Sequence, residues 1–419
     1  MSTIRNFADA RHALQSFYNQ PGSNTYTLER MRDLMHFLGD PQNTLKVIHV
    51  AGTSGKTSTA YYASSLLEAS GATVGLSVSP HVDEVNERVQ INRMPLPEVE
   101  FCARLASFMQ EVGRSGIKPS YFELMVAFAY AEFARRKVDY AVMEVGLGGL
   151  LDATNVVARP DKVCIITDIG LDHVEVLGDT LPEIAAQKAG IITPGNPVFA
   201  HRQAPEIMAV FEQAARRENA VLHIVEPVQT DDTLADLPLF QQRNFHLADQ
   251  AIAFTLDRDC RAGLAQEAHQ TAAHIHIPGR MDTVVRRGKT IIFDGAHNEQ
   301  KMTAFMQSVQ AAYPHQPLAA VVAFVKHKSN RWQLALEVLI RANVYCIVTS
   351  FNLEPDDRIK QSIPAQAIAD YFVSRGYTSY EVEPDLAKAG ALLLRRPEPL
   401  LLVTGSFYML HDARLRMHL

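Results

Sequence analysis

The residues with the most chemistry to offer lie together in VAGTSGKTST, Val50 to Thr59. An apolar, strand-like run, KVIHVAG, leads into Gly52 and Gly55, and Lys56, Thr57 and Ser58 open a helix-like stretch that reaches Ser70 before Gly71. Glycines let backbone N–H groups approach phosphate oxygens closely. A helix N-terminus favours negative charge, and a lysine placed there reaches the β- and γ-phosphates. The general phosphate-loop pattern asks for a further glycine where Val50 stands, so a shorter variant fits. The bland alternative is a glycine turn between strand and helix. Strand, Gly-x-x-Gly-Lys-Thr and helix together favour phosphate binding by Gly52, Thr53, Ser54, Gly55, Lys56, Thr57 and Ser58.

Other candidates divide less cleanly. Glu144 ends the run DYAVMEV and precedes Gly146, Gly148 and Gly149. A carboxylate there suits a metal facing a phosphate at the carboxyl edge of a parallel sheet, and equally a surface Glu before a turn. Asp172-His173 follow DKVCIIT at the same edge, where a lone histidine is more often structural. Lys188 sits in IAAQKAGII, a helix-like stretch, and in isolation reads as a solvated charge. In SYFELM, Tyr121 and Phe122 precede Glu123; core packing at a helix start outweighs stacking on a flat ligand. His274 and His276 alternate, which reads as one face of a strand and not as a metal site.

The elements that must position these groups follow a βαβ rhythm. ATVGLSVS, DYAVMEV, DKVCIIT and NPVFA read as strands with helical stretches between most of them, which implies a mainly parallel sheet covered on both faces. The rhythm restarts after Arg280 with TIIFDGA, LAAVVAF, VYCIVTS and PLLLVTG. The expected class is α/β: a larger N-terminal phosphate-loop-type domain over 1–282 and a smaller Rossmann-like α/β domain over 283–419, with HIPGRMD as the hinge. TDDTLADLP at 230–238 reads as a solvated loop.

Bulk properties agree. A chain of 419 residues, 47% hydrophobic and 21% charged, has apolar material for two cores. A net charge of -6 argues against nucleic acid, and no apolar run approaches membrane-spanning length. The N-terminus lacks a signal-like apolar core. Cys102, Cys164, Cys260 and Cys346 show no CxxC spacing and read as buried, reduced side chains in a cytoplasmic protein.

The short phosphate loop resembles that of the Mur ligase superfamily. Its folylpolyglutamate and dihydrofolate synthase branch is picked out by LGDPQ (39–43), SPHV (79–82), NERVQIN (86–92), SYFE (120–123) and EVGLGGLLDATN (144–155). The series continues with DIGLDHVEVLGDTLPEIAAQKAGI (168–191), PGR (278–280), DGAHN (294–298) and VTGSFYML (403–410), in the family's order over nearly the whole chain. The resemblance implies ATP as substrate, with Mg²⁺ held by Ser79, Glu144 and His173. It implies a carbamylated Lys188 holding a second Mg²⁺, since a carbamate turns a cation into a carboxylate. It places Tyr121, Phe122, Glu123, Leu151, Asp152 and Ala153 around a pterin, Gln250 near adenine, and Arg280 and Asp294 on ATP from the smaller domain. The implied catalytic residues are Lys56, Lys188 and His173; the implied partners are a folate or dihydropteroate and L-glutamate, for a monomeric enzyme.

Departures from the family touch the acceptor. Thr57 stands where the folate branch has Gly, Leu150 where GGRLDATN has Arg, and KHKSN (326–330) where an Asp-Lys-Asp group is usual. The family's His-Gln-x-x-Asn helix start is read at His246–Gln250. The sequence therefore points to an ATP-dependent ligase that adds L-glutamate to a folate carboxylate through an acyl phosphate. The rivals are another Mur-type ligase acting on a nucleotide-linked peptide precursor and a phosphate-loop ATPase that does not ligate.

Overall fold

The computed structural model describes residues 4–18, 27–226, 234–326, 331–353 and 360–417. The chain divides into two compact units, Met1–Ala235 with Gln241–Ile275, and Asp236–Phe240 with His276–Leu419.

The first unit is organised by β1 (Lys46–Ala51), β2 (Val74–Ser77), β3 (Gln90–Ile91), β4 (Met94–Pro95), β5 (Tyr140–Glu144), β6 (Val163–Ile166), β7 (Pro197–His201) and β8 (Val221–Val225). They form one sheet ordered β4-β3-β2-β5-β1-β6-β7-β8, parallel except for the antiparallel β3 and β4 at one edge. Val47, Ala141 and Met143 pack in one core with Phe101, Phe128 and Phe133 from the helices Glu98–Ser115 and Tyr121–Arg136. Farther along, Cys164, Ile166 and Val198 pack with Ile184 and Phe211 from Leu181–Ala189 and Pro205–Arg217. The alternate residues of β1, Ile48 and Val50, are just as buried. A strand covered on both faces needs an unbroken apolar run, which is why KVIHVA stands out in the sequence.

The second unit carries β9 (Asp282–Arg286), β10 (Lys289–Phe293), β11 (Leu318–Val322), β12 (Tyr345–Val348), the small pair β13 (Asn352–Leu353) and β14 (Lys360–Gln361), then β15 (Tyr380–Val382) and β16 (Leu400–Thr404). Its main sheet is ordered β15-β12-β11-β16-β10-β9 and only β9 runs antiparallel. Phe305, Phe324, Leu339 and Phe372 fill its core.

The expected architecture of α/β units with mainly parallel sheets is borne out. Two local expectations need correcting. His274 caps the helix Gln266–Ala273, and His276 lies outside any strand with Nε2 3.2 Å from Asp282. Cys102, Cys164 and Cys346 are buried, but Cys260 is exposed. Residues 327–330 of KHKSN and 230–233 of the 230–238 loop lie outside the described residues; Leu234, within the latter stretch, is buried. No described helix is long and apolar enough to cross a membrane.

Gly75 in β2 shows how tightly this sheet is covered: a Cβ there would lie 2.5 Å from the Phe133 ring. Gly75→Ala is expected to destabilise the first unit by about 1–3 kcal/mol through overpacking. The shift in the urea unfolding midpoint measures it, and an unchanged midpoint would show that the ring moves aside freely.

Candidate active site

β1 lies between β5 and β6, with Val50 beside Glu144 and Ala51 beside Ile166. Three parallel strands therefore end together, and each delivers functional residues to the same edge: Gly52–Gly55 after β1, Glu144 at the end of β5, and Thr167–Asp168 after β6. Gly52 has φ 142° and Gly55 φ 90°, both in territory that favours glycine. A Cβ on Gly52 would overlap Thr167 Oγ1, and one on Gly55 would overlap Asn244 Oδ1. The loop is sewn to the segment after β6. Thr53 N and Ser54 N donate to the Asp168 carbonyl at 2.8 and 3.2 Å, and the Thr167 hydroxyl donates to Ser54 O at 2.7 Å. Lys56 Nζ donates to Gly52 O at 3.0 Å, so its charge lies over the loop. The helix Lys56–Ala69 starts with no side-chain cap and no acidic residue in its first turn, as a helix terminus suited to an anion would.

Glu144 is buried, and its carboxylate gathers the neighbouring elements. Oε1 accepts from Thr57 Oγ1 at 2.9 Å and Oε2 from Ser79 N at 3.1 Å. A hydroxyl in the first helical turn beside a strand-end carboxylate is the hard-oxygen pairing that Mg²⁺ favours. Ser58 Oγ is also buried and has no hydrogen-bond partner among the described residues. Among the described residues no three His, Cys, Asp or Glu groups converge to hold a metal. The expected set, Ser79, Glu144, His173 and a modified Lys188, is of another kind, and Glu144 with Ser79 N bonded to it is its start, with Thr57 as a further hydroxyl beside the carboxylate.

The glycines after Glu144 serve close packing. A Cβ on Gly146 would overlap the Phe122 ring, one on Gly148 would lie 2.9 Å from Leu177, and one on Gly149 3.0 Å from the Lys188 carbonyl. The glycine segment thus rests on the helices Val174–Leu177 and Leu181–Ala189, which carry the remaining candidates. Lys188 is only 4% exposed, among buried Ile184, Ala189 and Ile191. His173 sits at the start of Val174–Leu177 with φ 48°, its side chain exposed and 3.9 Å from Asp172.

The residues assigned to the pterin occupy different settings. Asp152 is buried; burial pushes its carboxyl pKa up, against the pull of N–H groups from Leu147 and Thr154 and the Thr154 hydroxyl at 2.6 Å. Ala153 is buried and Leu151 exposed. Tyr121 is buried edge-on to Tyr18, with the Arg88 guanidinium 5.3 Å from its ring centre. Glu123 closes the Ser120 capping box and pairs with Arg30 Nε at 2.7 Å. This capping role explains the Ser-x-x-Glu spacing.

The helix Leu239–Arg258 carries Gln250 and a second amide side chain, Asn244, in different settings. Gln250 is exposed, whereas Asn244 is buried and stands against Gly55. Six residues apart on a helix, the two point roughly 120° apart. Gln241–Asn244 carries an intact Gln-x-x-Asn spacing, six residues before the stretch Leu247–Gln250. In the second unit, Asp294 directly follows β10 and is buried, with Met281 N and Ala296 N each donating to it at 2.9 Å. Arg280 lies 4.8 Å from the centre of the Phe407 ring.

A strand, glycine loop and helix with a carboxylate on the adjacent strand end define a phosphate-handling α/β protein, and the comparisons narrow the class. Residues 50–226 match the Mur ligase middle domain and 279–407 the Mur ligase glutamate ligase domain. Dihydrofolate synthetase of Saccharomyces cerevisiae is 32% identical over 424 residues, spanning 93% of this chain and 97% of that relative. Dihydrofolate synthase/folylpolyglutamate synthase of Bacillus subtilis is 28% identical over 98% of this chain and 99% of its own. Among solved structures, Mycobacterium tuberculosis folylpolyglutamate synthase complexed with ADP and AMPPCP superposes with TM-score 0.83 at 26% identity, covering 98% of both chains. E. coli FolC in complex with DHPP and ADP does so with TM-score 0.83 at 26% identity, covering 99% of this chain and 98% of its own. The chain belongs to the folylpolyglutamate synthase/dihydrofolate synthase family of Mur ligases.

Burial pushes the Asp294 carboxyl up to about 6, despite the opposing charge of Arg280. A raised carboxyl pKa means that ionisation costs the folded state. Its contribution to stability is complete below about pH 4 and is lost as the pH rises through about 6. The ¹³C shift of the Asp294 carboxyl should titrate near pH 6, and a midpoint at or below 4 would contradict the desolvated site.

Proposed function

We propose that this chain uses ATP to join L-glutamate to the carboxylate of a folate, with dihydropteroate as a further acceptor. The observation that carries the reading is the loop from Gly52 to Lys56 seated beside Glu144, in a chain of this family. The acceptor carboxylate attacks the γ-phosphorus of ATP, the bond to the ADP oxygen breaks, and an acyl phosphate forms. The glutamate amine then attacks the acyl carbon, loses a proton, and phosphate leaves. A free carboxylate is a poor electrophile for an amine, so the activation is needed; in-line transfer at phosphorus asks mainly for positioning and charge neutralisation.

Each residue has a place in this scheme. The loop amides other than those of Thr53 and Ser54, which Asp168 holds, bind the β- and γ-phosphates together with Lys56. Ser79, Glu144, His173 and a carbamylated Lys188 would hold Mg²⁺, with the Thr57 hydroxyl bonded to Glu144. When bound, Mg²⁺ neutralises charge on the transferred phosphoryl group. Tyr121, Phe122, Glu123, Leu151, Asp152 and Ala153 flank the pterin, and buried Asp152 offers its carboxyl to a ring N–H. Arg280 and Asp294 belong to ATP recognition by the smaller domain, for which 283–419 is the proposed extent. Asn244 takes the role that Gln250 has in the sequence reading. The proposed enzyme acts as a cytoplasmic monomer.

The decisive assay offers dihydropteroate, tetrahydrofolate and a muramyl precursor, each with ATP and glutamate. ADP release should require both a pterin acceptor and glutamate; release without an acceptor would indicate a simple ATPase. With ¹⁸O in the acceptor carboxylate, one labelled oxygen should appear in the released phosphate. Label in AMP, or retained wholly in product, would exclude the acyl phosphate.

The burial of Lys188 supports its carbamylation, because a desolvated amine is more easily neutral and so able to react with CO₂. Lys188→Ala is expected to lose about two orders of magnitude or more in turnover. Depleting CO₂ should lower wild-type activity and bicarbonate restore it. A fully active Lys188→Ala enzyme would end this assignment.

A further inference from the structure

The phosphate loop is short, and its two glycines leave it little intrinsic rigidity. It is held from outside. Thr53 N and Ser54 N both donate to one carbonyl, that of Asp168. Asp168 lies after β6 in a stretch without regular structure that leads to His173. The Thr167 hydroxyl on Ser54 O and the Thr53 hydroxyl on Gly170 O add to this hold, but the loop's two amides are only as well placed as the Asp168 carbonyl.

Asp168 is fixed by its side chain. Arg243 Nε lies 2.9 Å from Oδ2 and Arg243 NH2 2.6 Å from Oδ1, a two-point guanidinium–carboxylate pairing. Both side chains are about a quarter to a third exposed, at 30% and 26%, so the bridge is shielded without being sealed in the core. Arg243 is anchored in turn. It belongs to the helix Leu239–Arg258, and its carbonyl lies 3.0 Å from His201 Nε2 at the end of β7. The next residue, Asn244, stands against Gly55. The dipeptide Arg243–Asn244 thus touches the loop's turn directly and its outer support through Asp168. A second tie runs from Gln203 Oε1, which accepts from Ile169 N at 2.7 Å, and holds the residue after Asp168 in the same place.

We infer that Arg243 is a positioning residue for the phosphate loop, acting through Asp168 to hold the carbonyl on which the loop amides rest. The inference rests on the nucleotide role proposed for the loop. It assigns Arg243 no contact with the nucleotide. Losing the bridge frees Asp168 to shift, lets Thr53 and Ser54 follow, and returns to nucleotide binding the cost of ordering the loop. The amino-acid and acceptor steps do not draw on that cost.

The test is a double-mutant cycle on the full chain, with ADP binding read by calorimetry and the KM values for ATP, tetrahydrofolate and glutamate read separately. Arg243→Gln and Asp168→Asn should each raise the ADP Kd and the ATP KM by about tenfold, and the double variant should be no worse than either single one. The KM for tetrahydrofolate and the melting temperature without nucleotide should stay near wild type. Arg243→Lys, which keeps the charge but not the two-point geometry, should recover part of the affinity. Either single variant binding ADP like wild type would overturn the inference. So would additive losses in the double variant, which would mark Arg243 as a direct nucleotide contact. A melting temperature that falls together with affinity, with Arg243→Lys no better than Arg243→Gln, would make the bridge merely structural. Failure of the proposed function itself would look different: wild type would not bind ADP, and Lys56→Ala would change nothing.

Discussion

The site depends first on the adjacency of β5, β1 and β6. Parallel pairing brings the ends of these strands to one edge, and the close approach of Gly52 to Thr167 lets the loop after β1 lie down on the segment after β6. A side chain on Gly52 would prevent this. With the loop seated, the amides of Thr53 and Ser54 are satisfied by Asp168, and the helix that starts at Lys56 presents its uncapped end. A topological switch in an open α/β sheet creates such a crevice; the hydrogen bonds and the glycine fix its shape.

The second organising principle is the burial of charge at strand and helix ends. Glu144, Asp152 and Lys188 are all nearly inaccessible in the first unit, and Asp294 is so in the second. Unpaired buried charge is costly, so such residues need partners or a changed protonation state. Glu144 has a hydroxyl and an amide, and Asp152 has two amides and a hydroxyl. Asp294 accepts two amides and still has its pKa raised toward neutrality. Electrostatic interactions are stronger where water is excluded, which suits groups that must act on a highly charged nucleotide.

Glycine and capping patterns carry a double load. The glycines after Glu144 let Phe122 and the Lys188 helix come close to the carboxylate's strand. Ser120 and Glu123 start a helix and at the same time set Tyr121 and Phe122 in place. A motif read for its chemistry can therefore exist partly to allow packing, and substitutions there would alter both.

The sequence by itself determined the local elements and the strongest site. Runs such as KVIHVA and LLLVT declare strands buried on both faces, and Gly-x-x-Gly-Lys-Thr declares the turn and helix start after β1, because propensity and backbone sterics act over a few neighbouring residues. The two-residue strands β3, β4, β13 and β14 carry too little periodicity to be read. The bond from Thr57 to Glu144, the place of Asn244 against Gly55 and the pairing of Arg243 with Asp168 were decided only by the tertiary structure. Each joins residues at least 75 positions apart, whose meeting depends on strand order and helix rotation. The same holds for Gln250, which is exposed about a third of a turn around its helix from buried Asn244, and for Cys260, which its surroundings leave exposed. Local sequence sets which groups are available; the register of the sheet and the phase of each helix decide which of them meet.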